Sequence, residues 1–317
     1  MTDVIVEHSH EMIRKGSKSF AAAASLFDPE TRARAYMLYA WCRHCDDQID
    51  GQDLGFGTLT MTSAERYARL DALRERTRAA FHGEPMDDPV FIAFQRVARE
   101  AEIPEQHALE LLAGFQMDVH GTEYGDLPET LLYCYRVAGV VGVMMACVMG
   151  AREPQVLARA ADLGIAFQLT NISRDVLDDA ANGRCYLPGN WLAEAGVPPG
   201  GCADPAHRER VFAVVKRLLD EADRYYISAA QGLQSLPLRS AWAVATALGV
   251  YREIGDLVRS RGAAAWERRA VVSRGRKAWH GIRGFFKASR AVLLRRWRTT
   301  KPRERQLWTV AELRLED

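Results

Sequence analysis

Residues 163–188 read LGIAFQLTNISRDVLDDAANGRCYLP, and this stretch decides the class of the fold. Apolar residues recur through it at helical spacing, and Asn171, Asp175 and Asp179 follow one another at intervals of four. Positions four apart lie on the same face of a helix, so these three oxygen-bearing side chains share one face. The stretch therefore predicts a long helix that presents a row of oxygen ligands.

Another acidic stretch lies far upstream, where residues 39–50 read YAWCRHCDDQID. In chain order it carries the first acidic face, and residues 163–188 carry the second. Asp46 and Asp50 are one turn apart, and Tyr39 and Arg43 extend the same face. Like charges at this spacing destabilise an isolated helix by about 0.2–0.5 kcal/mol. In a buried helix they would be costly without a cation. Taken alone, the pair is typical of a solvated helix end.

Two such faces in one chain favour a shared binding site over two coincidences. Oxygen ligands in small number suit Mg²⁺, which keeps several waters and bridges to phosphates. Arg43 and Arg174 stand beside the two faces, where guanidinium groups suit the remaining oxygens of a diphosphate, and Gln168 lies one turn before Asn171. Asp47, one position off the first face, has a supporting role at most. The sequence predicts that the two helices face each other across a cavity.

The rest of the chain also indicates helices. Asp28 and Pro29 suit the cap and first turn of the helix that carries the first acidic face. Period-two alternation is nearly absent, so strands are not supported and the predicted class is all-α. Helical patterns cover 28–50, 63–81, 89–101, 104–120, 129–149, 153–180, 205–234, 238–260 and 276–298.

The composition of the 317 residues is that of a globular protein, with 48% hydrophobic residues and a net charge of +1. Six cysteines without a signal-peptide pattern indicate reduced thiols in a cytoplasmic protein. The longest uncharged apolar run, 137–150, is too short to span a bilayer and fits a buried helix. No GxGxxG or P-loop string indicates a nucleotide fold.

Five short motifs occur in order along the chain. They are GSKSF at 16–20, YAWCRHCDDQID at 39–50, YCYRVAGVVG at 133–142, the stretch at 163–188, and YREI at 251–254 followed by RRAVVSRGRK at 268–277. In these motifs the chain resembles the head-to-head prenyl synthases, the family of phytoene, squalene and dehydrosqualene synthases. The resemblance runs from about residue 8 to about residue 280, and its first two motifs are most similar to those of the bacterial phytoene synthases.

The resemblance implies an isoprenoid synthase fold, a single helical bundle around a central cavity. It implies a prenyltransferase that condenses two geranylgeranyl diphosphates through prephytoene diphosphate to phytoene, the first committed step of carotenoid biosynthesis. The expected cofactor is Mg²⁺, with Mn²⁺ as an alternative, and no NADPH is expected. The rival readings are a dehydrosqualene or squalene synthase that uses two farnesyl diphosphates, and a helical scaffold without activity.

The resemblance also assigns site residues by motif. Its metal–diphosphate ligands are Asp46, Asp50, Asn171, Asp175 and Asp179. Its catalytic residues are Tyr39, Arg43, Asp46, Asp50, Asp175 and Asp179. Its substrate-binding residues are Ser17, Ser19, Phe20, Tyr133, Val137, Ala138, Val141, Gly142, Gln168, Arg174, Tyr251 and Arg269. Aromatic faces would stabilise cations in transit, whereas the small residues at 137–142 are also typical of plain close helix packing.

Cys42, His44 and Cys45 raise the hypothesis of a zinc site. A second ligand pair at finger-like spacing is missing, and a helical C-x-x-C without one is a poor structural zinc site. Packed thiols are the preferred interpretation.

The C-terminal part of the chain is strongly basic, with fourteen Lys and Arg against one acid between Arg268 and Arg305. We expect a catalytic domain over residues 1–280 and a basic extension over 281–317. An insoluble hydrocarbon product favours peripheral contact of this extension with an anionic membrane, and downstream carotenoid enzymes are expected partners. A solvated tail and a nucleic-acid contact are the alternatives, of which the second is least favoured. The apolar residues of the extension are Phe285, Phe286, Val292, Leu293, Leu294 and Trp297.

Overall fold

In a computed structural model of the chain, the described residues are 3–51, 61–295 and 301–310. Within these ranges the structure consists of helices and connecting turns, without any strand, so the all-α prediction is confirmed. The α-helices are α1 Val4–Gly16, α2 Lys18–Ala24, α3 Pro29–Asp50, α4 Ser63–Phe81, α5 Pro89–Glu100, α6 Glu105–His120, α7 Leu127–Cys134, α8 Val140–Val148, α9 Pro154–Ala181, α10 Gly189–Glu194, α11 Arg208–Ala230, α12 Leu238–Arg261 and α13 Arg274–Leu293.

The boundaries of α3, the first acidic helix, follow from its end residues. The Asp28 carboxylate accepts a hydrogen bond from the Thr31 amide at 3.0 Å, and Pro29 occupies the first turn, as predicted. The helix ends at Gly51, whose φ of 66° is the left-handed conformation that glycine adopts without strain. These end residues therefore fix the position of the last turn of α3, which carries Asp46 and Asp50.

The N-terminal helices α1 and α2 were not among the predicted patterns. Asp3 caps α1. The Ser17 hydroxyl accepts a hydrogen bond from the Phe20 amide at 3.3 Å, which starts α2 directly after α1. Both helices pack onto α3 or α12, and these tertiary contacts stabilise them.

One predicted helix, over 129–149, is interrupted. A π-helical turn at Tyr135–Gly139 separates α7 from α8, and such turns are frequent at functional sites. The stretch Leu127–Val148 is long and apolar enough to cross a membrane by length and composition alone. However, 67% of its apolar 18-residue segment is buried inside the protein. It is a core element of the bundle in this structure.

The helix α9 is the central element of the bundle and carries the second acidic stretch. It packs against α8, α11 and α12, and most of its residues from Val156 to Val176 are buried. Its backbone is kinked at Asp175, where φ is −107° and ψ is 16°. The kink falls within the row of predicted ligands.

The described C-terminal residues, 274–295 and 301–310, pack on the body of the bundle. The helix α13 packs on α12 and ends at Leu293, before the predicted end at 298, and residues 296–300 lie outside the described residues. Residues 301–310 return to α9, where the Arg303 guanidinium binds the fully buried Asp162 carboxylate at 2.7 Å. The proposed boundary at residue 280 lies within α13 and stays a prediction.

Candidate active site

A cavity of about 990 Å³ lies between α2, α3, α6, α8, α9, α12 and α13. Its volume is at the upper end of the range for small-molecule sites. Most of the residues that the sequence assigned to the site line it: Ser17, Phe20, Tyr39, Arg43, Asp46, Asp50, Tyr133, Val137, Ala138, Val141, Gly142, Gln168, Asn171 and Tyr251. Four others do not, namely Arg174, Asp175, Asp179 and Arg269. The side chain of Ser19 lies outside the described residues.

The first acidic face is organised by Arg43. Its guanidinium binds Asp46 Oδ2 at 3.0 Å and Asp47 Oδ1 at 2.8 Å. Asp47 is buried, with 6% of its surface exposed, and holds one arm of the arginine below the cavity wall. It therefore orients Arg43, which is the supporting role that the sequence allowed.

The second acidic face is organised by two arginines around Asp175. The Arg174 Nε donates to Asp175 Oδ1 at 2.8 Å, and the Arg269 Nη2 binds Asp175 Oδ2 at 3.0 Å. Further up the helix, the Asn171 amide donates to Gln168 Oε1 at 3.4 Å. Although Arg174, Asp175 and Arg269 do not line the cavity, they form one connected group next to the wall residue Asn171.

The two acidic faces lie at the same end of the molecule. Arg184, in the segment after α9, binds Asp50 Oδ1 at the end of α3 at 2.7 Å. Arg184 also lines the cavity. A residue outside the predicted set therefore joins the two halves of the site.

Asp118 on α6 is the other site residue that sequence reasoning missed. Its carboxylate accepts hydrogen bonds from the hydroxyls of Tyr133 at 3.1 Å and Tyr186 at 2.7 Å. A signal for it was present, because Asp118 follows buried Leu111 and Phe115 at helical spacing and so falls on an apolar face. An acid at such a position needs partners, and two tyrosines supply them.

The charges at this end of the cavity are not balanced. Burial raises the pKa of Asp46 to about 7, against the opposing effect of Arg43. Burial also raises the pKa of Asp179 to about 7, and the nearby Asp175 contributes to that rise. Burial likewise raises the pKa of Asp118, which Arg184 and the two hydroxyls oppose. Carboxyls that resist ionisation in this way indicate a site that gains stability from an added cation.

The donor set fits Mg²⁺ in chemistry. Among the described residues, no three acidic, histidine or cysteine side chains converge into a ready metal cluster. Mg²⁺ does not require one, because it uses one or two carboxylates together with waters and substrate phosphates. Asp46 and Asp50 on α3, and Asn171, Asp175 and Asp179 on α9, are the residues that would hold it.

Aromatic rings form much of the cavity wall. Phe20 and Tyr39 stack with centroids 5.4 Å apart, and Phe167 and Tyr251 stack at 4.1 Å. A Cβ on Gly16 would lie 2.5 Å from the Tyr39 hydroxyl oxygen, so the first residue of GSKSF must be small for this wall to form. These faces are suited to stabilise a carbocation by about 0.5–2 kcal/mol each.

The small residues of the third motif serve the packing of two helices as well as the cavity. Val137, Ala138, Val141 and Gly142 line the cavity. A Cβ on Gly142 would lie 2.3 Å from the Ala160 carbonyl oxygen on α9, so the close packing that was weighed as an alternative is present too. The wall is thin here because two backbones nearly touch.

The cysteines of the first acidic stretch are packed thiols. Cys42 and Cys45 are free, and burial raises the pKa of both. His44 contacts the Phe91 ring edge-on at 5.8 Å. Among the described residues, no three histidine, cysteine or acidic side chains form a zinc-type cluster.

Comparison with known proteins identifies the class of enzyme to which this chain, with its helical cavity and acidic end, belongs. A sequence model described as squalene/phytoene synthase matches residues 13–276. A phytoene synthase of Pseudescherichia vulneris is 50% identical over 304 residues, which are 96% of this chain and 97% of the relative. A 15-cis-phytoene synthase of Pantoea ananas is 47% identical over 304 residues, with the same coverage.

Solved structures agree on the fold. A dehydrosqualene synthase in complex with a ligand has a TM-score of 0.79 at 26% identity, covering 89% of this chain and 95% of that one. A squalene synthase of Alicyclobacillus acidocaldarius has a TM-score of 0.71 at 23% identity, covering 82% and 97%. The predicted isoprenoid synthase fold is confirmed.

These findings define a helical prenyl synthase. The chain belongs to the squalene/phytoene synthase family. The prediction of a prenyltransferase of the phytoene synthase type, with a place in carotenoid and isoprenoid biosynthesis, is confirmed by relatives that match nearly the whole chain.

Proposed function

We propose that the cavity joins two geranylgeranyl diphosphates head to head and releases phytoene and two diphosphates. The observation that carries this proposal is one apolar cavity whose acidic end is built from both halves of the chain, with Arg184 joining them at Asp50. The single cavity gives both prenyl tails an apolar wall, and its charged end gives both diphosphates a place to bind.

The reaction needs two ionisations in one pocket. In the first, a C–O bond to diphosphate breaks, the alkene of the second substrate forms a bond to the allyl cation, and a proton is lost to give a cyclopropyl diphosphate. In the second, the remaining diphosphate leaves, the carbon skeleton rearranges, and another proton is lost to give the central alkene. Asp46, Asp50, Asn171, Asp175 and Asp179 would hold Mg²⁺, which would supply positive charge to neutralise the leaving diphosphate.

The residues of the chain have separable tasks in this scheme. Arg43 and Arg184 already face the cavity as guanidinium donors, and binding of a diphosphate exchanges their carboxylate partners for phosphate oxygens. Tyr39 and Tyr251 stand in the wall where a cation passes. Burial raises the pKa of both tyrosines, so they stay neutral and do not trap the cation as phenolates.

The test is product identification with purified protein, Mg²⁺ or Mn²⁺, and either the C20 or the C15 diphosphate, each with and without NADPH. We expect a C40 product from the C20 substrate without NADPH. A C30 product as the main outcome, or a strict requirement for NADPH, would support the rival squalene-type activity. Absence of diphosphate release from either substrate would support the scaffold without activity.

The metal assignment is tested by paired substitutions on the second acidic face. Asp175→Ala is expected to lower kcat by about 10³ or more, because it removes a carboxylate that would hold the Mg²⁺ acting at the leaving group. Asp178→Ala is the matched control, since Asp178 lies in the same segment but is exposed. Asp50→Ala is expected to behave like Asp175→Ala. Circular dichroism should show unchanged helix content, and substantial residual activity in Asp175→Ala would count against the assignment.

We also propose that α13 contacts an anionic membrane surface. Its inner face, with His280, Gly284 and Ala288 at intervals of four, is buried against α12. Its outer face exposes large apolar side chains between basic ones, of which Phe286 is 67% and Leu293 is 74% exposed. The other apolar members are Trp279, Ile282 and Phe285, and Trp297 lies outside the described residues.

Two features favour a lipid surface for this face. Arg283, Lys287 and Arg290 are exposed beside the apolar residues, and that combination is typical of helices that lie in a membrane interface. Ala278 and Gly281 of the same helix line the cavity, so an apolar product has a short way to the surface that α13 forms. Contact with downstream carotenoid enzymes stays a prediction.

Co-sedimentation with vesicles of anionic phospholipid tests this contact. We expect the double variant Phe286→Ser and Leu293→Ser to bind several-fold less than the native chain. Ile227→Ser is the control, because Ile227 is 60% exposed on α11, away from this face. Equal binding by the native chain and the double variant would rule out α13 as the membrane contact. Binding of the chain to nucleic acid, and not to the vesicles, would support the nucleic-acid alternative.

A further inference from the structure

Two cysteines that the proposed mechanism does not use lie side by side near the acidic end of the cavity. Cys185 lies in the irregular segment after α9, and Cys202 lies in the short 3₁₀ turn Gly201–Ala203. Their sulfur atoms are 3.5 Å apart, although seventeen positions separate them in the chain. Both are free thiols.

The two thiols differ in a way that suits oxidation. Cys185 is exposed, so a small oxidant can reach it. Cys202 is buried, with 5% of its surface exposed. A hydrogen bond from the Cys202 thiol lowers the pKa of Cys185, which increases the fraction present as the reactive thiolate. The other four cysteines are buried or partly buried in the bundle.

The neighbours of Cys185 connect it to the site. Arg184, directly before it, binds Asp50, and Tyr186, directly after it, donates to Asp118. A change in the position of Cys185 therefore affects both the Arg184–Asp50 ion pair and the Tyr186–Asp118 hydrogen bond.

We propose that Cys185 and Cys202 form a reversible disulfide that weakens diphosphate binding in the oxidised protein. A disulfide needs a sulfur–sulfur distance of about 2.05 Å, so the pair must close by about 1.5 Å from its present separation. The 3₁₀ turn that holds Cys202 is packed against α9 and α11, whereas residues 184–188 form no helix. The segment of Cys185 takes up the movement, and Arg184 moves with it.

Hydrogen peroxide is the oxidant that the chemistry requires. The Cys185 thiolate attacks one peroxide oxygen, the O–O bond breaks, and hydroxide leaves and takes up a proton, giving a sulfenic acid and one water. The Cys202 thiol then attacks the Cys185 sulfur, the S–O bond breaks, and a second water leaves as the disulfide forms. Two thiols lose two electrons to one peroxide, and a dithiol such as dithiothreitol reverses the change by thiol–disulfide exchange.

The experiment treats the purified full chain with hydrogen peroxide and counts free thiols in denaturant. We expect the six thiols to fall to four and peptide mass mapping to find Cys185 joined to Cys202. The KM for the prenyl diphosphate should rise by a factor on the order of 3 to 10, because displacements of about 1 Å in a binding group affect binding and rate. Dithiothreitol should restore the original KM.

Variants separate the disulfide from general oxidative damage. Cys185→Ser should keep the unoxidised KM after peroxide, and Cys202→Ser should form no intramolecular disulfide. Cys147→Ser should respond like the native chain, since Cys147 is buried elsewhere. A different linkage, or no loss of thiols, would overturn the proposal. A Cys185–Cys202 linkage with unchanged KM would overturn its effect on the site. The effect on KM rests on the proposed function, but the thiol count and the mapping do not, so failure of either part can be recognised.

Discussion

At the acidic end of the cavity, arginine side chains already hold the carboxylates on which the proposed metal site depends. Arg43 holds Asp46, Arg184 holds Asp50, and Asp175 is held from both sides by Arg174 and Arg269. Each pair limits the cost of a buried charge, and each must loosen when a diphosphate enters. Binding of a diphosphate at this site therefore replaces the carboxylate partners of the arginines with phosphate oxygens.

The raised pKa values of Asp46 and Asp179, both about 7, predict how Mg²⁺ and pH act together. Below pH 7 the folded protein holds protons that must leave when Mg²⁺ binds, so the affinity for Mg²⁺ rises with pH. A folded-state pKa above the unfolded value also contributes stability that is lost as the pH rises through 7. We expect Mg²⁺ to raise Tm more at pH 8 than at pH 6, measured against EDTA. Equal shifts at both pH values would contradict the assignment.

Asp118 is predicted to position Tyr133 for the reaction. Asp118→Asn keeps the shape of the side chain but weakens its hold on the two hydroxyls, so we expect kcat to fall about tenfold. Tm should fall as well, since a hydrogen bond to a charged group contributes about 1.5–3 kcal/mol. Tyr186→Phe is the control that removes one hydroxyl and leaves the bond from Tyr133 in place. An unchanged kcat in Asp118→Asn would show that Asp118 does not position Tyr133 for the reaction.

Much of the site could be predicted at the scale of single residues, but its connections could not. Spacing within one helix is visible in a sequence, which is why Asp46, Asp50 and Asn171 were found and lie at the cavity. Arg184 and Asp118 are connected to the site by contacts between distant segments, and no local pattern records such contacts. The kink at Asp175 is likewise not visible in the helical periodicity of the stretch.

At the scale of helices, the π-helical turn Tyr135–Gly139 packs on α9 backbone to backbone. A Cβ on Gly164 would lie 2.1 Å from the Ala138 carbonyl oxygen, so the π-helical turn and α9 approach as closely as two backbones can. The helical periodicity of 129–149 predicted an element here but not its interruption by a π-helical turn.

Gly164→Ala is expected to destabilise the fold by about 1–3 kcal/mol, because the added methyl group overpacks a backbone contact. Gly275→Ala is the matched control on α13, where an added Cβ meets nothing within 4 Å, and it should stabilise the chain by about 0.5 kcal/mol. Urea unfolding of both variants measures the difference. A Gly164→Ala midpoint as high as that of the native chain would show that the two helices can separate freely.

At the scale of the whole molecule, the basic C-terminal part is bound to the body by a buried ion pair. The Asp162 carboxylate is fully buried and accepts from Arg303, which approaches with two nitrogens, and from Ser228. Arg159 donates to the Lys301 carbonyl at 2.7 Å, which holds the same segment from the other side. The net charge of this region indicated an appendage, but a surplus of basic residues does not reveal that one of them neutralises a core acid.

Arg303→Ala is expected to cost about 3–5 kcal/mol of stability, because it leaves a buried charge without its partner. Gln306→Ala, on the same segment but exposed, should be close to neutral. Urea denaturation with both variants measures the effect. A truncation near residue 268 would remove Arg303 together with α13, so point substitutions on α13 are the cleaner test of membrane contact.

The pairing of Asp162 with Arg303 also sets an order for folding during synthesis. The two residues are 141 positions apart, so at ribosomal rates of about 5–20 residues per second the carboxylate is made roughly 7–28 s before its partner. During that interval α9 can form with Arg159, one turn before Asp162, as a cation near this carboxylate. The set of partners of Asp162 is therefore complete only once residues 301–310 have been made.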